Sequence, residues 1–354
     1  MGFFNPNPTY SIDLGPSGPR HLGIWFDRIS FYSVWVANRV DPVPDSSGVL
    51  SIDEHGKLMI THQGGQPIVI NPDMAGKNNL SGGNFTVTLL DSGNIVIRQV
   101  AWNRIPGPIL WQSFDYPHNI LLPGMKLGMN LKTGHNWTLT SWLSEKIPAP
   151  GAFRLGMDPT GANQLLVWCR GEIYWSSGVW KNGSFKSEPI LTKRNDIYDF
   201  QLVSNEDEKY FSYSLKNKTV LSRWDLDTIG TITVFSLYQN TWIFESTSPC
   251  SYDMKNSSAI CLSEKAIKCR KESDMFVKKR GYFEYIYNFY DGYEYEPDLG
   301  LSDCHSKCWK NCTCVAYQSG SSDGVGCKYW SKGSKFIPND NFDFIYLLSN
   351  KSSK

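Results

Sequence analysis

The chain of 354 residues balances 35 basic against 34 acidic side chains, for a net charge of +1, and 41% of it is hydrophobic. That length buries more than one core and predicts two to four domains. The near-neutral balance supplies no field for a nucleic-acid backbone or an anionic membrane, and no run approaches the roughly 18 apolar residues that span a bilayer. Thirty Gly, 19 Pro, 13 Trp and 18 Tyr among short Val, Ile, Leu and Thr runs predict a mainly β protein with frequent turns.

From the N-terminus the pattern reads as hairpins in series, with strands predicted near 22–26, 33–37, 48–52, 57–61, 67–70, 85–89 and 94–98. The turns Glu54-His55-Gly56 and Asp91-Ser92-Gly93-Asn94 place Gly or Asn where positive φ is needed. Residues 50–60 and 88–97 share an order of strand, Asp, turn, Gly and strand, which is an internal repeat. With His21-Leu22-Gly23-Ile24-Trp25-Phe26 and Val34-Trp35-Val36-Ala37-Asn38-Arg39, this repeat resembles the bulb-type lectins, three-faced β-prisms whose faces each carry such a hairpin. Gly2-Phe3-Phe4-Asn5-Pro6 resembles a point inside the family's first lectin domain, which implies a prism without its opening strands. Met1 opens no signal sequence, so an exported protein would begin further upstream.

Leu110-Trp111-Gln112-Ser113-Phe114-Asp115-Tyr116-Pro117, the run 121–128 and Leu139-Thr140-Ser141-Trp142 resemble the S-locus glycoprotein and plant S-domain (G-type lectin) receptor-like kinase family. Residues 151–185 resemble its second lectin-like repeat. The resemblance implies a truncated bulb-type lectin domain over 1–105, a second lectin-like domain over 106–185, a connector over 186–265 and a small disulfide-rich α+β PAN/apple-like domain over 266–350. It further implies a recognition protein in the extracellular space (apoplast) or at the outer face of the plasma membrane, with roles in pollen recognition, defence or development and a possible receptor dimer. Its partner would be a peptide, protein or glycan. The kinase of such receptors leaves no Gly-rich loop or His-Arg-Asp segment here.

A bulb-lectin sugar site needs Gln-x-Asp-x-Asn-x-Val-x-Tyr, whose amides and carboxylate form paired hydrogen bonds with sugar hydroxyls. Aligned on Asn94 and Val96, the Gln position holds Leu90, the Asp position Ser92 and the Tyr position Arg98. The other hairpin offers Asp53, His55, Lys57, Met59 and Thr61. A working mannose site is not expected, and a true lectin stands as the alternative reading.

Eight of the nine cysteines lie from Cys250 onward, which points to an oxidising compartment. Asn-x-Ser/Thr acceptors at Asn79, Asn84, Asn136, Asn182, Asn217, Asn256, Asn311 and Asn350 agree with secretion. Cys304, Cys308 and Cys312 recur every four residues after Ser302-Asp303, a predicted N-cap, so one helix stripe carries three sulfurs and Cys314 follows. Such a cluster either holds zinc or forms disulfides. Resemblance to the PAN pattern implies Cys269 with Cys312, Cys304 with Cys327 and Cys308 with Cys314, leaving Cys250 with Cys261. Cys169 is expected to be a buried free thiol, and no metal or cofactor is expected.

Phe283, Tyr285, Tyr287 and Phe289 alternate along a predicted strand, with Tyr290, Tyr293 and Tyr295 beyond and acidic Glu284, Asp291, Glu294 and Glu296 interleaved. Rigid aromatics beside charges suit peptide or protein recognition. The same alternation also suits the core face of a small sheet. Gly320-Ser321-Ser322-Asp323-Gly324 fits the Gly-x-Ser-x-Gly of hydrolases, but in a Gly/Ser-rich loop without the strand-turn-helix that exposes a nucleophile, so an extracellular hydrolase is disfavoured.

Overall fold

The computed structural model describes the chain except residues 7–16, 27–32, 77–83, 101–104, 218–219, 239–240, 248–266, 272, 285–292, 295 and 351–354. The described residues are mainly strand, as the composition implies. In the first unit β1 (Gly2–Phe4), β2 (Ser17–Trp25), β3 (Ser33–Val36) and β4 (Val43–Asp45) form one sheet. β5 (Val49–Ile52), β6 (Leu58–Thr61) and β7 (Ile68–Val69) form a second, and β8 (Asn84–Leu89), β9 (Ile95–Val100) and β10 (Pro106–Gln112) a third. All pairings are antiparallel, and all but β2 with β4 join strands consecutive in the chain. The turns work as their sequences require. Gly56 and Gly93 take φ of +77° and +86°, and the Asp53 carboxylate accepts from the backbone N–H of His55 and Lys57 at 2.9 and 2.8 Å. The alternation then turns Leu58, Ile60, Ile95 and Ile97 inward, each at most 1% exposed.

The second unit comprises β11 (Ile120–Leu121), β12 (Leu127–Asn130), β13 (Asn136–Trp137), β14 (Leu139–Ser144), β15 (Ile147–Met157), β16 (Leu165–Cys169) and β17 (Glu172–Ser176). The small hairpin β18 (Trp180–Lys181) and β19 (Ser184–Phe185) follows, then β20 (Tyr198–Ser204), β21 (Glu208–Leu215), β22 (Leu221–Leu226), β23 (Ile232–Tyr238) and β24 (Thr241–Thr247). Three four-stranded sheets result, in the orders β13-β12-β21-β20, β14-β15-β16-β17 and β11-β22-β23-β24. Strands beyond residue 185 therefore pair directly with β11 and β12. The region read from sequence as a connector supplies two of the four strands of one sheet of this unit and three of the four strands of another.

One hydrophobic cluster runs from Ile24 and Trp35 through Leu127 and Trp175 to Trp224 and Val234, so the two three-sheet units share a continuous core. Trp175 and Trp224 are wholly buried. Removing about 200 Å² per indole from water contributes on the order of 5 kcal/mol each before entropy is charged.

The third unit sets α1 (Leu301–Lys310) on a six-stranded sheet. Its strands are β25 (Asp274–Phe283), β26 (Tyr293–Glu294), β27 (Cys314–Ser319), β28 (Cys327–Ser331), β29 (Phe336–Pro338) and β30 (Phe344–Asn350), in the order β26-β28-β27-β30-β25-β29. The helix cap lies earlier than Ser302-Asp303. Gly300 is the N-cap, and Asp303, three residues in, accepts its N–H at 2.9 Å. A Cβ on Gly300 would stand 2.4 Å from the Leu143 carbonyl, so close approach to the second unit selects Gly there. The helix also ends at Lys310, before Cys312, where the Asn311 side chain reaches forward to accept from the Thr313 N–H and hydroxyl. Two sulfurs ride on the helix and the third lies just beyond it.

Candidate functional site

The hairpin positions of a bulb-lectin site serve structure in this chain. Asn94 is buried, its Nδ2 donates to Gln112 Oε1 at 2.9 Å, and its Oδ1 accepts from Ser113 Oγ and the Phe114 N–H, both at 3.2 Å. Val96 is a core residue and Leu90 is exposed. Ser92 Oγ accepts the Asn94 N–H at 3.4 Å, and Arg98 donates to the Gly107 carbonyl at 2.9 Å. A repeat missed in the sequence explains Asn94's neighbourhood. In each sheet a polar side chain accepts the N–H of an inward strand residue: Asn38 from Leu22, Asn71 from Leu58 and Ser113 from Ile95, at 2.7, 2.7 and 2.9 Å. Ser177 repeats the bond to Leu165 in the second unit.

The two units are locked together by β3 and the turn after it. Trp35 Nε1 donates to the Tyr116 carbonyl, its ring stacks on His118 at 5.3 Å, and the Val36 N–H donates to His118 Nδ1 at 2.9 Å. That bond requires a neutral His118. Burial, then the Arg39 charge, holds its pKa well below the ordinary value. Arg39 reaches into the second unit, where its guanidinium donates to the carbonyls of Pro148, Thr140 and Ser141 at 2.6, 3.2 and 2.8 Å. Burial pulls its pKa down to about 9, so it stays charged at neutral pH.

Beside this joint opens a cleft of about 600 Å³ whose walls come from both units. Asp73, Trp111, Gln112, Asp115 and Tyr116 face Lys126, Asn130, His135, Trp137 and Glu208 across it. Tyr116 stacks on Trp111 at 5.7 Å, and His135 meets Tyr116 and Trp137 edge-on at 5.3 and 5.6 Å. The Asp115 carboxylate accepts from Gln112 Nε2 and Trp137 Nε1, both at 3.1 Å, while its carbonyl meets His135 Nε2 at 2.7 Å. The Tyr116 hydroxyl donates to Asp73. Burial, that bond and the charges of Asp73 and Asp115 push the Tyr116 pKa up. Lys126 pairs with Glu208 at 2.7 Å and lies over the Trp137 and Tyr210 rings. Sequence reading passed over this site, although Leu110, Trp111, Gln112, Asp115 and Tyr116 of its lining sit in the 110–117 run that carries the family resemblance.

Comparison with known proteins agrees with the architecture. Family models match as D-mannose binding lectin over residues 33–143, S-locus glycoprotein domain over 175–275 and PAN-like domain over 269–334. The chain belongs to the S-domain family. It is similar to the G-type lectin S-receptor-like serine/threonine-protein kinases CES101 (34% identical, 88% of this chain) and SD1-1 (30%, 93% of this chain) of Arabidopsis thaliana. It spans 39% and 44% of their lengths.

In the PAN-like part of this S-domain the disulfides are Cys269–Cys312, Cys304–Cys327 and Cys308–Cys314. Among the described residues no cluster fit for a metal occurs. Cys250 and Cys261 lie outside the described residues, and Cys169, half-buried at the end of β16, is in no disulfide. The PAN-like part docks on the second lectin-like unit through Arg170, whose guanidinium meets both Asp303 oxygens at 2.7 Å. The 320–324 loop is part of this dock: the Ser322 and Asp323 carbonyls accept from Lys146 and Ser144.

Asn84, Asn136, Asn182, Asn217 and Asn311 are exposed acceptors. Asn79 and Asn256 lie outside the described residues, and Asn350 closes β30. Of the aromatic surface, Tyr285, Tyr287, Tyr290 and Tyr295 lie outside the described residues, and Tyr293 pairs with Lys328 in β26. Phe283 is the last residue of β25 and stacks on Trp330 at 4.7 Å.

Proposed function

We propose that the chain is the non-catalytic, extracellular ligand-recognition region of an S-domain receptor-like kinase or of a secreted S-locus-glycoprotein-like relative. In this reading it comprises two lectin-like prisms, the second continuing to residue 247, followed by the PAN-like part. Its ligand is a peptide, protein or other small molecule, bound away from the mannose hairpin. The observation that carries the last point is the Asn94 carboxamide, which is buried, donates from Nδ2 to Gln112 and accepts at Oδ1 from Ser113 and Phe114 inside the protein. Leu90 and Ser92 remove two more sugar contacts, each worth about 1 kcal/mol, and a shallow site retains no useful affinity without them.

Calorimetric titration with mannose and mannose-rich glycans tests this. The expected result is no saturable heat at millimolar sugar. A saturable signal abolished by Leu90→Trp, which adds bulk at an exposed hairpin position, would establish a lectin instead.

A further inference from the structure

The PAN-like part is attached to the rest of the molecule differently from the way the two lectin-like units are attached to each other. Those units share one hydrophobic cluster, whereas the PAN-like part keeps a separate one built on Phe276, Tyr317 and its half-cystines. Its dock falls on two turns at the same end of the sheet β14-β15-β16-β17, and its bonds are polar. At the β14–β15 turn, Ser144 and Lys146 donate to the carbonyls of Asp323 and Ser322. At the β16–β17 turn, Arg170 meets both Asp303 oxygens at 2.7 Å and donates to the Asp298 carbonyl at 3.2 Å. Gly300 and Gly324 let the two surfaces fit closely, since a Cβ on either would stand 2.4 Å from the Leu143 carbonyl oxygen or 2.8 Å from Ser144 Cβ. The docked position is therefore specific, but no shared apolar core holds it, and relative motion is the ordinary behaviour of modules joined in this way.

A backbone outlier marks the decisive bond. Among the described residues only Asn182 and Arg170 combine a positive φ, 53° and 49°, with a side chain. Each opens a two-residue hairpin turn completed by glycine, Asn182-Gly183 and Arg170-Gly171. Asn is a residue such turns favour, because it tolerates the left-handed region, whereas Arg has no such advantage and is strained there. The β16–β17 hairpin thus gives up local stability to set a guanidinium at this corner, and strain of that kind persists where another contact requires it. The contact is Asp303, whose side chain is only 8% exposed and which also accepts the Gly300 N–H at the start of α1. We propose that the Arg170–Asp303 pair is a latch: it holds the PAN-like part closed against the second lectin-like unit, and breaking it releases that part as a folded body. The latch gives the chain two arrangements of its recognition modules, whatever ligand they bind.

Small-angle scattering and hydrogen exchange on the whole chain test this, with the variants Arg170→Asn and Asp303→Asn. Asn suits the left-handed turn, so the first change removes the latch while relieving the hairpin. The second keeps an acceptor for the Gly300 N–H and removes the charge. Each variant is expected to have a larger radius of gyration than the wild type. Each should also exchange about tenfold or more faster over 143–146 and 321–326, the loss expected for a charged hydrogen bond, with β16, β17 and β27 as protected as before. Raising the salt concentration should move the wild type in the same direction, because the Arg170 side chain is half-exposed, and should leave the variants as they are. Equal scattering and exchange in wild type and variants overturns the latch. Protection lost throughout β25, β27 and β30 in either variant also overturns it, since the pair would then support the fold of the PAN-like part rather than its position. An effect of Arg170→Asn beside an Asp303→Asn protein that behaves as wild type overturns the assignment to this pair.

Discussion

Reduction under otherwise native conditions unfolds the PAN-like part and leaves the two lectin-like units folded. The buried core of that part consists of Phe276, Leu299, Tyr317 and the four half-cystines Cys304, Cys308, Cys314 and Cys327. Sulfur replaces the aliphatic side chains that a larger domain would use. The bridges close separations of 43, 23 and 6 residues, which stabilise by roughly 2 to 4 kcal/mol each on the chain-entropy model. Their sum reaches the whole net stability of a small domain. Among the described residues the lectin-like units contain no disulfide, and their shared core is made of Trp, Leu, Ile and Phe. Hydrogen exchange with and without a thiol reductant should therefore show protection lost in β25, β27 and β30 and kept in β9 and β15. Unchanged protection in β27 would refute the sulfur-core account.

Replacing Arg39 by Met is expected to loosen the joint between the two units. The guanidinium is buried, makes three bonds to the carbonyls of Pro148, Thr140 and Ser141, and has no carboxylate partner among the described residues. Losing bonds from a charged donor costs about 1.5 to 3 kcal/mol each, and three carbonyls in β14 and β15 are left unmet. Against this stands relief from burying an unpaired charge, several kcal/mol in the other direction. The bonds outnumber the charge, so a net loss of about 3 kcal/mol is expected. Arg39→Lys should recover little, because one compact ammonium cannot reach three carbonyls arranged for a planar fork. Arg154→Met, at an exposed position bonded to Thr138, serves as the control and should shift the unfolding midpoint little. Equal midpoints for the Arg39 and Arg154 variants would remove Arg39 from this role.

The hairpins of the first unit were legible because their determinants are local. Gly56 with the Asp53 carboxylate sets one turn within four residues, Gly93 sets another just as locally, and alternation does the rest. The cysteine spacing was legible for the same reason, although the position of the helix end depended on an Asn311–Thr313 contact that a four-residue repeat ignores. The second unit was not legible beyond residue 185. Its pairing sets Leu121 against Trp224 and Leu127 against Phe211, and nothing local in 186–247 reports partners about a hundred residues away. The cleft was hidden by the same non-locality, since Asp73, Trp111, Lys126 and Glu208 come from four separate stretches. Asn94 shows a subtler limit. Its sequence context aligns it with the Asn of a degenerate sugar motif, and only after folding does it emerge that a half-buried Gln112 and a buried Ser113 claim its amide.

The claim on which the cleft and the Arg39 clamp both depend is that the two lectin-like units are one docked body. The amide proton of Val36 reports on it directly, because it belongs to the first unit and its acceptor, His118 Nδ1, lies past the end of the first unit's last strand. Native-state hydrogen exchange should place Val36 in the slowest class, exchanging only with the global opening that also releases Ile97 at the centre of β9. Val36 exchanging like a surface loop, while Ile97 stays protected, would mean that the units separate freely and would contradict the account.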